Sequence, residues 1–347
     1  NGVIAYASIL IGQKETAPAN HQTAALAWDQ TKPSSALPLE IAKAFPVAQS
    51  SLTHDGWRLV SPAIQALLTK LRETGTPLGE YVNGRFYYGI KTGFNEAFVI
   101  DEKKRSELIA ADPKSEEIIK PFLRGRDVKR WQATHADLYL IKIESSANVA
   151  HPWKGEEKPW EKFSEAYPAI AAHFESLKNI KDKKGVTHWQ RLKERDDQGV
   201  YFWELRSCAY WDEFKQPKIF YPNQCSRNEF HFEPNLIYTN QKAFTLTDCG
   251  PDLAAILNSN LITFIFPFYL SPLMNGFWEP SKIFVEQFPI PPASQTDKNR
   301  LAELAEACAT ATAARDSETL AILETEINTI VYRLFDLTPA EIDLIED

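Results

Sequence analysis

An α+β fold, mixing short strands with helices and closing in a helical segment, is what this sequence predicts, on three observations. Short runs at 97–100, 138–143, 218–221, 229–232 and 243–247 are rich in β-branched and aromatic residues. Between them, sets such as Ile64, Leu67, Leu68 and Leu71 repeat at the spacing of one helix face. Residues 298–314 and 316–335 form two Ala/Leu-rich helical patterns, and a last helix begins at Pro339. With 44% hydrophobic and 12% aromatic residues in 347, the chain can bury a core of two or three subregions and is too rich in core formers for disorder.

Taken in order, residues 2–11 read as a buried strand, apolar with little alternation. Residues 31–50, with Pro33, Pro38 and Pro46, read as a linker with at most one short helix. Ser61 caps the next helix, Pro62 suits its first turn, and Gly75 and Pro77 stop it. Around residues 85–100 the sequence predicts a hairpin: two strands joined by a tight polar connection, with Gly93 at positive φ. Lys91, Thr92 and Asn95 sit on its tip, where side chains can meet a ligand. Asp101 caps a short helix to Ala111. A further helix after Ser115 would bury Ile118, Ile119, Phe122 and Leu123 and deliver the basic stretch 124–130. Residues 144–197 read as a charged helical insertion, interrupted at Pro168. The aromatic block 201–214 reads mostly as core, and Pro251 opens a helix through Leu257.

Charge is unevenly placed. The formal net charge is −8, yet from Asp297 onward twelve of the 46 acids meet only four of the 38 bases, which leaves 34 of each in residues 1–296. That neutral body carries two basic clusters, one around Lys120–Arg130 and one from Lys178 to Arg195. Such clusters are ordinarily solvated surface, but they permit nucleic acid to bind. The four cysteines lack any CxxC pairing and the seven histidines are scattered, which fits isolated core thiols in a reducing cytoplasm rather than zinc or disulfides. No apolar run reaches the roughly 20 residues a bilayer requires. The first residue is Asn and the lone methionine is Met274, so the sequence reads as a fragment of a longer protein.

Several motifs follow one another in a telling order. Gly-Ile-Lys-Thr-Gly-Phe-Asn-Glu-Ala-Phe at 89–98 is followed by Leu-Arg-Gly-Arg-Asp-Val at 123–128 and Pro-Lys-Ile at 217–219. Leu-Ala-Ala-Ile-Leu-Asn-Ser at 253–259, Phe-Pro-Ile-Pro at 288–291 and the tail 330–338 come next. Together they resemble the target-recognition (specificity) domain of TaqI-type adenine-N6 DNA methyltransferases, which also occurs in fused type IIG restriction–modification enzymes. The resemblance implies that residues 1–50 hold the end of a methyltransferase catalytic sheet and a linker, that 51–292 form the DNA-recognition domain, and that 293–347 are C-terminal helices. It implies double-stranded DNA as partner, together with a missing N-terminal methyltransferase domain of the same chain. It further implies S-adenosylmethionine as cofactor of the parent enzyme and none in this fragment.

Catalytic signatures are missing from the sequence itself. It has no Asn-Pro-Pro-aromatic tetrad to hold a flipped adenine, no GxGxxG or GxxxxGK[ST] loop, and no HExxH or GxSxG. What remains suits reading DNA, since arginine pairs with guanine and asparagine with adenine through two hydrogen bonds each, while lysines hold phosphates. On the connection, Lys91, Thr92 and Asn95 are candidates. On the basic stretch they are Arg124, Arg126, Lys129 and Arg130, with Arg124 equally able to pair with an acid in the core. Arg206 lies in an aromatic setting that favours a structural ion pair or cation–π contact, and Asn240 and Lys242 precede a strand. Asn95 and Arg126 suit base edges; Lys129 and Arg130 suit phosphates. Two other readings stay open: a protein-docking module, and a hydrolase whose carboxylate pair is assembled in space.

Overall fold

The computed structural model describes residues 11–12, 15–18, 20–26, 32–52, 59–134 and 136–346. The strand expected at 2–11 lies almost wholly outside them. The chain divides into two compact units, residues 1–70 and 71–347. In the first, β1 (Gln22–Ala25) pairs antiparallel with β2 (Phe45–Ala48), placing Thr23 opposite Val47. A short helix, α1 (Leu37–Ile41), lies between them. The expected linker therefore contains a strand as well as its helix, because Phe45 and Val47 pair with residues 23–25, which the resemblance assigned to the end of a catalytic sheet. Helix α2 (Pro62–Thr74) starts in the first unit and ends in the second. The Ser61 hydroxyl accepts from the Ile64 amide at 3.3 Å, as the capping pattern required.

The second unit holds two four-stranded sheets, and the chain crosses between them. Strand β3 (Phe86–Tyr88) is followed by a four-residue helix, α3 (Asn95–Phe98), and β4 (Val99–Asp101). These two strands do not form a hairpin. β3 pairs with β10 (Ala243–Thr247) in one sheet, and β4 pairs with β6 (Leu138–Ile141) in the other. Sequence spacing matched a hairpin, but each strand has a longer apolar partner far along the chain.

Asp101 caps α4 (Glu102–Ala111), accepting from the Lys104 amide at 2.8 Å. Residues 119–123, read as helix, form β5 (Ile119–Leu123), antiparallel to β6. Pro121 cannot donate inside a helix, and adjacent β-branched Ile118 and Ile119 favour the pleat. The remaining strands are β7 (Lys218–Pro222), β8 (His231–Glu233) and β9 (Tyr238–Thr239). The first sheet runs β8-β7-β10-β3, all antiparallel; the second runs β9-β5-β6-β4, with β9 parallel to β5.

The insertion is helical as expected: α5 (Pro159–Ala166), α6 (Pro168–Ser176) and α7 (His188–Glu194), with Pro168 starting α6 rather than spoiling one long helix. Phe163, Ile170, Phe174 and Trp203 are fully or almost fully buried in one core with Phe98 of α3 and Ile119 and Leu140 of the second sheet. Helices α8 (Pro251–Leu257) and α9 (Asn260–Tyr269) are bent 62° from each other. The chain closes with α10 (Gln295–Ala314), α11 (Ser317–Leu334) and α12 (Pro339–Glu346), α10 packing on α8 and α11. No single helix among the described residues is long and apolar enough to cross a membrane.

Candidate nucleic-acid interface

Three sequence segments meet where the sheets exchange strands. Leaving β3, Gly89 and Ile90 run beside the turn that joins β9 to β10: the Gly89 amide donates to Ala243 O at 3.1 Å and the Ile90 amide to Thr239 O at 2.6 Å. From the other side, the end of β5 arrives: the Asn240 amide donates to Leu123 O at 3.0 Å. The side-chain oxygen of Asn240 then accepts from the amides of Gly125, at 2.9 Å, and Lys242, at 3.1 Å. Asn240 is therefore the clip of the junction, a role that its position before a strand did not reveal.

Two glycines make this approach possible. A Cβ on Gly89 would stand 1.9 Å from Asn240 O, and one on Gly125 would stand 1.9 Å from Lys242 O. No side chain fits at either position, which is the physical reason that glycine occupies both motifs.

The junction sorts the candidate residues into outward and inward groups. Arg126 and Lys242 are exposed, and no hydrogen bond or ion pair of either side chain is found among the described residues. Asn95 is exposed at the start of α3, its side-chain oxygen accepting from the Thr92 hydroxyl at 2.6 Å. Thr92 itself is buried, so it positions Asn95 instead of meeting a ligand. Lys91 and Arg206 are half exposed and share one carboxylate, Asp197, at 2.9 and 3.2 Å. For Arg206 this is the structural ion pair that its setting favoured.

Arg124 is held by Asp127 through Nε at 2.8 Å and Nη2 at 2.9 Å; burial pushes that carboxylate up, but the hydrogen bonds and charge of Arg124 outweigh it and hold it below its usual range. It closes its own loop. Lys129 keeps an exposed ammonium 3.1 Å from Glu229. Arg130 departs from its assignment to phosphate. Its Nε donates to Glu324 of α11 at 2.6 Å and its Nη1 to Asn228 at 2.5 Å, and only 9% of the side chain is exposed. The acidic tail therefore reaches beneath the basic stretch and takes one of its arginines.

A residue of the second basic cluster matters most to the 91–98 connection. Arg195 is buried, and its guanidinium donates to the carbonyls of Thr92 and Leu192 at 2.9 Å, Asp197 at 3.2 Å, and Phe202 and Glu204. It also lies 4.6 Å from the centre of the Phe98 ring. Burial pulls its pKa down to about 10. Gly93, at φ +69° as predicted, packs on the Arg195 stem. The same cluster was read as solvated surface, and nothing in its spacing marks one arginine among seven cations as a core residue. Beside it Glu204, also fully buried, accepts from the amides of Ser146, Val200 and Tyr201, from the Ser146 hydroxyl and, at 2.8 Å, from the Trp153 indole.

No family model matches this chain, and no curated protein does. Among solved structures, the DNA complex of the type IIL restriction–modification enzyme MmeI aligns with a TM-score of 0.50 over 75% of this chain, at 13% identity. The chain shares its fold with part of a restriction–modification enzyme. It spans 34% of the MmeI chain. The type IIG restriction endonuclease BpuSI also aligns, with a TM-score of 0.43 at 14% identity, over 80% of this chain and 33% of that one.

Proposed function

We propose that residues 71–347 are a double-stranded-DNA recognition module, the specificity part of an adenine-N6 DNA methyltransferase or fused restriction–modification enzyme. One observation carries the reading: two motif segments far apart in sequence are locked together at Asn240, and the side chains next to that lock, Arg126 and Lys242, are exposed cations with no ion pair among the described residues. A rigid base with uncommitted cations is what reading a duplex requires. The likeness to part of MmeI, an enzyme solved with DNA, supports the same reading.

In this reading Arg126 and Asn95 face base edges, Arg126 toward guanine and Asn95 toward adenine. Lys242, Lys91 and Lys129 face phosphates; the last two exchange a carboxylate partner for a phosphate when DNA arrives, which lowers their net contribution. In this reading S-adenosylmethionine is the methyl donor of the parent enzyme and is held by its methyltransferase domain, not by residues 71–347. The test is a fluorescence titration of this chain with mixed-sequence duplex at two salt concentrations. Binding that weakens steeply with salt supports the proposal; no binding at low salt refutes it.

A further inference from the structure

A second feature shares the rim of the junction. Ser271–Pro272 pairs antiparallel with Trp278–Glu279, the Leu273 amide donates to Phe277 O at 2.7 Å, and Met274-Asn275-Gly276 form the loop between them. Asn275 (φ 60°, ψ 32°) and Gly276 (φ 74°) take the left-handed values of a type I′ turn, which Asn-Gly adopts at least cost. The tip is thus stiff and well defined. It is also apolar: Met274, at the start of the turn, is 63% exposed and Phe277, at its end, 43%.

The hairpin leans on the segment that leaves β7. Cys225 and Trp278 exchange amide hydrogen bonds of 3.2 and 2.7 Å, and two residues earlier the Asn223 amide donates to Lys242 O at 2.9 Å. At extended spacing this places Lys242 on the order of 15 Å from the hairpin. Past Cys225 the same segment carries exposed Arg227 and then Glu229, already engaged by Lys129. An apolar tip therefore stands between cations on both sides, with Glu279 the one acid of the hairpin itself. A polyanion seated on those cations would meet the tip. A folded protein partner would meet exposed cations at the margin of a small apolar spot, so the charge pattern favours DNA.

We propose that Met274 and Phe277 form a wedge that enters a base step of the bound duplex and unstacks it, an inference that rests on the DNA-recognition reading. Apolar side chains on a stiff support are what such unstacking uses. The test is permanganate footprinting, which oxidises unstacked thymines, on long mixed-sequence DNA with this chain and with Phe277→Ser, Met274→Ser and Phe277→Leu. Expected are hypersensitive thymines with the parent sequence and with Phe277→Leu, and their loss with either serine variant. Affinity should fall no more than roughly tenfold in the serine variants, because the phosphate contacts remain. Unchanged circular dichroism and melting keep a misfolded variant from imitating the result. Bound DNA without hypersensitive thymines overturns the wedge and leaves the recognition reading standing; failure to bind any duplex overturns both. Self-association in sedimentation that either serine variant abolishes would also overturn it, assigning the tip to a protein contact.

Discussion

The two basic clusters look alike on paper and differ in space. In the insertion, Arg191 is committed to Asp182, Lys178 and Lys193 lie over the Trp189 ring, and Arg195 is sunk among carbonyls. At the junction, Arg126 faces solvent with no hydrogen bond or ion pair among the described residues, Lys129 is only loosely engaged, Arg124 is tied to Asp127 and Arg130 is turned inward. What separates them is the neighbourhood: the insertion buries a cation among rings and backbone carbonyls, whereas the junction pairs its cations with carboxylates and leaves Arg126 at the surface. A run of positive charge thus says little until its acceptors are counted.

The contrast breaks most visibly at Arg195. Arg195→Ala removes the donors to five carbonyls and leaves several of them buried and unpaired, so a loss of at least about 3 kcal/mol is expected. Denaturant unfolding measures it, and an equal loss in Arg126→Ala would erase the distinction. Next in size, Gly125→Ala or Gly89→Ala drives a methyl into a carbonyl and should cost about 3 kcal/mol or more. Their melting temperatures should drop well below those of alanine variants at exposed glycines such as Gly155.

A smaller effect depends on pH. His173 of α6 hydrogen-bonds Ala97 O at 3.0 Å, tying the insertion to α3. Burial lowers its pKa, and Lys104 adds to this against the opposing Ala97 bond. A histidine depressed in the fold binds its proton more readily when unfolded. Its penalty is therefore absent well above the ordinary value of 6.5 and grows as pH falls below it. Stability should decline by at most about 1.4 kcal/mol per pH unit in that window, and His173→Gln should flatten the slope. An unchanged slope in the variant would show that other groups set it.

Much of this fold is legible from the sequence. The caps at Ser61 and Asp101, the Ala243–Thr247 strand and the C-terminal helices follow from local chemistry. What is not legible depends on distant partners. β3 and β4 separate because β10 and β6 claim them, and 119–123 pairs as a strand because β6 lies beside it. The site divides in the same way. Arg126 is recognisable from its motif, whereas the inward turn of Arg130 depends on Glu324, 194 residues away, and the clip at Asn240 on a glycine 115 residues away.

The smallest effect on stability is also the sharpest test of the junction. Lys242→Ala and Arg126→Ala, singly and together, should each leave stability within about 0.5 kcal/mol, since both side chains are exposed. The deciding measurement is duplex affinity against salt concentration for these variants beside Lys193→Ala in the insertion. Lys242→Ala is expected to weaken all duplexes and reduce the salt slope by about one unit, with Lys193→Ala unchanged from the parent sequence. Folded Lys242→Ala and Arg126→Ala proteins that bind as the parent does, while Lys193→Ala loses affinity, would contradict the junction as the DNA-reading surface.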